Sequence, residues 1–228
     1  MSARIRDFAY ENGLTLCFLV LFLLALAGQA IAGYHAFNAD QVQHNSSTVS
    51  FGDYVTSSAY GQAVMENWQS EYLQFTLFIF ITVWLVQRGS PESKELGKAG
   101  VESEREQRLG GHAPRKGPSW ARRGGPITWV YSNSLVLVMG AIWIGSWFAQ
   151  SITGLAQFNA DRFDHHQDAL SWTSYIANAH FWEQTLQNWQ SEFLAIASMA
   201  ILAVYLRQRG SPESKPVGAE HEATGVEG

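Results

Sequence analysis

Four apolar stretches alternate with polar ones along the chain. Leu14–Gly33 runs about twenty residues without a charge, and Leu135–Gly154 repeats the pattern. Twenty residues at ~1.5 Å each cross a hydrocarbon layer of ~30 Å. Leu73–Val86 and Phe193–Leu206 are shorter apolar runs of about fourteen residues. Each extends backward through Asn-Trp-Gln-Ser-Glu and forward to Arg88 or Arg209, which brings it to membrane length. The pattern predicts four transmembrane helices, at about 13–33, 66–88, 134–154 and 187–209. A signal peptide is the competing reading of the first, because Arg4 and Arg6 precede it and Ala30-Ile31-Ala32 resembles a cleavage site. Its internal counterpart at Leu135–Gly154 favours retention.

The stretches fall into two copies. NWQSE at Asn67–Glu71 returns at Asn188–Glu192, and QRGSPESK at Gln87–Lys94 returns at Gln208–Lys215, both at an offset of 121 residues. The same offset carries Tyr10 to Tyr131, Gln29 to Gln150, Gly33 to Gly154, His44 to His165 and Tyr54 to Tyr175. An internal repeat implies a repeated structural unit. The expected organisation is repeat 1 at 1–94, a linker at 95–125, repeat 2 at 126–215 and an acidic tail at 216–228. Linker and tail are rich in Gly, Pro and charge and poor in apolar residues, so both are expected to be disordered. The fold class is all-α and integral to a membrane: a tandem duplication of a two-helix hairpin. Outside the membrane, Phe37–Asp40 reads as a turn-rich start. A short interfacial helix then opens at Ser50, with Asp53 three residues on. Phe51, Tyr54 and Val55, matched by Trp172, Tyr175 and Ile176, give that helix an apolar stripe.

Charge sets the orientation. Charged residues are only 15% of the chain, and the net charge of −5 says little about partners because the charges are segregated. Of the 15 Lys and Arg, only Arg162 lies in either connection expected outside. Positive residues accumulate on the cytoplasmic side, so both termini and the linker are expected there. Two helices per repeat give both repeats the same direction, related by an axis along the membrane normal. Arg115, Lys116, Arg122 and Arg123 would meet anionic lipid. No basic patch is interleaved with aromatics, which argues against nucleic acid as a partner. Ala141, Gly145 and Ala149 form a small-residue face on the third helix, suited to close packing. Cys17, the single cysteine, lies in the first helix and allows no intrachain disulfide.

The polar residues in the apolar segments are the candidate site. Counting back 17 residues from Arg88 puts Glu71 near the outer edge of the hydrocarbon, and Gln29 stands at a similar height. Two hydrogen-bonded clusters are expected: Glu71 with Gln29 and Asn67, and Glu192 with Gln150 and Asn188. An ionisable residue at membrane depth is a functional candidate. Polar side chains also join transmembrane helices for roughly 1 kcal/mol per contact, which explains the same residues without chemistry. Outside, Asp40/His44 and Asp161/His165 keep a four-residue spacing. Imidazole and carboxylate can bind zinc, but no fixed motif is present, and local Asp–His pairing accounts for the spacing. No histidine lies in the four apolar cores, which disfavours haem, and no cofactor is expected. No Gly-x-Ser-x-Gly, Cys–His pair or P-loop supports an enzyme.

The chain resembles a family of small bacterial multi-pass membrane proteins of unknown function. The resemblance rests on an aromatic-x-Tyr-x-Asn start (Phe8, Tyr10, Asn12 and Trp129, Tyr131, Asn133), Gly28-Gln29, NWQSE and QRGSPESK. Ala149 departs from it where the first copy has Gly28. The resemblance implies a cytoplasmic-membrane location and a two-repeat fold, and it implies no activity. The expected role is structural or interactive, in the cell envelope, with membrane lipids and a homo-oligomer or membrane-protein partner. The alternative is a small oligomeric transporter or channel that uses the Glu/Gln clusters.

Overall fold

The computed structural model describes residues 3–226, and among these the chain is all-α with nine α-helices. They are α1 (Ala3–Glu11), α2 (Gly13–Gln43), α3 (Phe51–Val55), α4 (Ser58–Ile81), α5 (Ser119–Arg123), α6 (Gly125–Ser132), α7 (Ser134–Asp164), α8 (Trp172–Ile176) and α9 (Ala179–Tyr205). Two of them, α2 and α7, are long and apolar enough to cross a membrane. The other two long helices open with polar turns: Gln62, Glu66 and Asn67 in α4, and His180, Glu183 and Gln184 in α9. That dilutes their apolarity.

Helix ends differ from the expected ones. α2 and α7 run through to Gln43 and Asp164, about ten residues past Gly33 and Gly154. Phe37–Asp40 is therefore helical rather than a turn. α4 and α9 start at Ser58 and Ala179 and stop at Ile81 and Tyr205, before Arg88 and Arg209. The early stop is local: the Thr82 hydroxyl donates to the Phe78 carbonyl at 2.7 Å, and its backbone continues into turns.

The links from α2 to α4 and from α7 to α9 have the same construction. Asn38 clasps the Val49 backbone through two hydrogen bonds of 3.0 and 2.8 Å, and Asn159 clasps Leu170 at the same distances. Ser50 caps α3 in a reciprocal capping box with Asp53, and Ser171 caps α8. Tyr54 and Tyr175 then lay their hydroxyls on Gly33 and Gly154, where any Cβ would collide with the phenol oxygen. Tyr175 is 1% exposed, with the rings of Phe158 and Phe181 each 5.5 Å away. Burial, and secondarily the Glu66 charge, push its phenol up to about 12.

QRGSPESK also forms one loop twice. The backbone N–H of Gln87 donates to the Ser93 hydroxyl at 2.9 Å, as Gln208 does to Ser214. Lys94 then donates to the Gly100 carbonyl at 2.6 Å, and Lys215 to the carbonyls of Glu220, His221 and Ala223 at 3.2, 2.8 and 3.2 Å. Three acceptors satisfy the three donors of an ammonium, which is what allows Lys215 to be buried. Segments 95–125 and 216–226, expected to be disordered, fold into turns, with a short 3-10 helix at Gly110–His112 and α5 in the first. The end of the chain crosses to the first loop, with Gly89 N–H donating to the Thr224 hydroxyl at 2.8 Å and Gly225 N–H to the Ser90 carbonyl at 3.0 Å.

Packing between the halves is unequal. α4 lies closely along α7 and also meets α9, whereas α2 packs mainly on α3. Small side chains allow the α4–α7 approach: a Cβ on Gly61 would stand 3.0 Å from Thr153, and one on Gly140 3.5 Å from Thr76. Within the second hairpin, indoles space the helices instead. Trp147 of α7 lies 5.7 Å from Trp189 and 6.1 Å from Phe181, both on α9.

Candidate functional site

A seam of polar side chains joins α4 to α9. The Gln62 amide donates to Glu66 at 2.9 Å on its own helix and to Gln184 at 3.0 Å across the seam. The Trp189 indole donates to the Gln69 carbonyl oxygen at 2.8 Å. The Ser70 hydroxyl donates to Glu192 at 3.3 Å and to the Asn67 carbonyl at 3.0 Å. Gln69 and Ser70 are buried. Each contact joins positions 120 to 122 residues apart, so near-equivalent residues of the two hairpins meet. Gln62, Glu66, Gln69 and Leu73 follow one another at four, three and four residues, the spacing of one helix face. That spacing is visible in the sequence, and it places Gln62, Glu66 and Gln69 on the seam where the expected clusters had Asn67 and Glu71.

The contacts expected within the two clusters are not made among the described residues. Glu192 joins the seam, but through Ser70 rather than Gln150 or Asn188. Asn67 and Asn188 turn back to carbonyls of their own helices, Ala63 at 2.8 Å and Gln184 at 2.9 Å. Glu71 is exposed, and Gln29 is half-buried on α2. Gln150 is 1% exposed, and neither amide atom has a hydrogen-bond partner among the described residues. An unpaired buried amide costs ~1–3 kcal/mol. Glu71 and Glu192 stand near the middle of α4 and α9 rather than at an outer edge, because those helices begin earlier and end sooner than the apolar runs suggested.

The candidate metal residues sit at the ends of the long helices. His44 turns Nδ1 to the Asp40 carbonyl at 3.0 Å, and His165 to that of Asp161 at 2.7 Å. No group of three or more His, Cys, Asp or Glu is placed to hold an ion among the described residues. Both contacts are to backbone carbonyls, and His44 Nδ1 also stands 3.4 Å from the Asp40 carboxylate.

A second acidic pair was not singled out from the sequence. Glu92 and Glu213, equivalent residues of the two QRGSPESK loops, line one groove of about 530 Å³ with Gln74, Phe78, Ile196 and Met199. Burial, then hydrogen bonding to Glu213 and repulsion from its charge, push the Glu92 carboxyl up to about 7. The folded loop thus keeps a proton that the unfolded chain releases above 4.5. Stability is therefore lost as pH rises from 4.5 to about 7, and is level above that. The thermal midpoint is expected to fall between pH 5 and pH 8, and Glu213→Gln is expected to flatten the change. Equal pH dependence in wild type and variant would count against the pair.

Chemically, the seam offers amides, carboxylates, one hydroxyl and one indole. Such a set holds helices together and places polar atoms inside an apolar surround. No curated protein and no solved structure matches the chain. Its residues 5–226, nearly the whole length, match one family description, and the chain belongs to that family, a domain of unknown function (DUF6766).

Proposed function

We propose that this chain is an integral protein of the cytoplasmic membrane. In this reading a duplicated hairpin supplies four spanning helices, with both termini and the linker on the cytoplasmic side. Its role is non-enzymatic, structural or interactive, in the envelope. One observation carries the reading: burial is inverted relative to a protein in water. Leu14, Phe18, Leu24, Ile144, Phe148 and Leu194 are 58–76% exposed, while Gln69, Gln150, Ser70 and Thr185 are 0–1% exposed. In water the first group would favour burial at ~25 cal/mol per Å², and the second would stay solvated. In hydrocarbon both preferences reverse. The polar seam then acts as the internal contact that holds spanning helices together.

Topology is the test. With Cys17 replaced by Ser, single cysteines go in at Ser47, His112 and Asp168 in turn. In sealed, right-side-out vesicles, an impermeant maleimide should label positions 47 and 168 and leave 112 unreacted until the membrane is opened. Labelling of position 112 from outside removes the four-span reading.

A further inference from the structure

Equivalent residues of the two hairpins do not share equivalent surroundings. Leu73 on α4 is 3% exposed, and its counterpart Leu194 on α9 is 64% exposed. Gln69 and Ser70 are buried, whereas Gln190 and Ser191 are exposed. On the other side, Ser146 of α7 is buried and Ala25 of α2 is exposed. The loops repeat the contrast: a Cβ on Gly89 would strike the His221 carbonyl, while one on Gly210 would meet nothing within 4 Å. Were the hairpins related by an exact half-turn, α9 would cover α2 as α4 covers α7. It does not. The relation leaves one copy of the interface unmade.

We propose that a second copy of this chain fills it, head to tail: α9 of one protomer packs against α2 and α4 of the next, as α4 packs against α7 and α9 within the chain. The unmade half is not only apolar. Gln190 and Glu71 lie in mid-helix, where lipid would leave their polar groups unpaired, while the Ser191 hydroxyl donates to the Asn188 carbonyl at 2.8 Å. Shifting the Ser70–Glu192 hydrogen bond by one repeat joins Ser191 of one copy to Glu71 of the next. The same shift of the Trp189–Gln69 bond joins Trp68 to Gln190. Two of the seam's three cross-helix contacts thus have a shifted equivalent, while the third, Gln62–Gln184, becomes Glu183 with Ala63 and has none. A head-to-tail contact closes into a ring when its rotation allows. Parallel copies in one membrane differ only by rotation about its normal, so the assembly is a ring rather than a fibre.

The inference rests on the membrane reading, and disulfide trapping in native membranes separates the two. With Cys17 replaced by Ser, two control chains carry Thr76→Cys with Gly140→Cys, and Ser70→Cys with Glu192→Cys. Both should close within one chain. The test pairs are Ala197→Cys with Leu19→Cys, and Ser191→Cys with Glu71→Cys, each pair split between two co-expressed chains of different length. Both pairs should give an oxidised dimer that contains one chain of each length, and no single variant expressed alone should dimerise. Controls that close while both test pairs stay open overturn the ring and leave the membrane reading standing. Dimerisation of the Ser191→Cys chain with itself also overturns it, since that is a symmetric contact. Failure of the controls removes the helix packing on which both rest.

Discussion

Truncating Tyr175 to Ala is expected to cost about 3–5 kcal/mol, the range for removing a large buried aromatic. Its ring is among the most enclosed in the chain, between Phe158 and Phe181. It also sets the distance between α8 and α7, because its hydroxyl lies on Gly154. The same contact predicts a specific pattern. Gly154→Ala should be strongly destabilising on its own, since the added methyl and the phenol oxygen claim one space. Removing that oxygen with Tyr175→Phe should restore much of the loss, so the double variant is more stable than additivity allows. Thermal unfolding in detergent or lipid checks it. If the two losses simply add, Tyr175 does not lock onto Gly154.

Gly89→Ala is expected to lose about 2–4 kcal/mol. A left-handed backbone costs a side chain ~1–2 kcal/mol, and the φ at Gly89 is +84°. The rest is steric, because the new methyl meets the His221 backbone carbonyl, which a rotamer change cannot move aside. Gly97 is the internal control. Its φ is +86°, but nothing stands within 4 Å of its missing Cβ, so Gly97→Ala should carry the backbone cost alone. Equal losses at the two positions would mean that the end of the chain does not lie over the first loop. Proteolysis of residues 216–226 reports the same contact and should speed up in Gly89→Ala only.

Much of this architecture is legible in the chain because one unit is written twice. The 121-residue offset aligns α2 with α7 and α3 with α8 residue for residue, and the capping serines with each other. Helix ends were not legible. An apolar window reports where hydrocarbon suits a helix, whereas α2 and α7 continue because Phe37 and Phe158 pack against Tyr54 and Tyr175, 5.5 Å apart in both copies. The candidate clusters failed for a related reason. Counting along helices gives height but not azimuth, and the Asn67 amide donates its hydrogen bond to the Ala63 carbonyl of its own helix. Nor could identity at position 29 and position 150 disclose that only Gln150 is covered, since the covering helix, α4, has no equivalent over α2.

The two loop lysines have a consequence for reactivity. Lys215 has all three donors engaged by carbonyls, and Lys94 is held by the Gly100 carbonyl and the Glu102 carboxylate. An electrophile that reaches either nitrogen displaces contacts that organise its loop. Acylating reagents therefore reach the exposed Lys116, and Lys98 on its Glu95 partner, before the two lysines that hold the loops together.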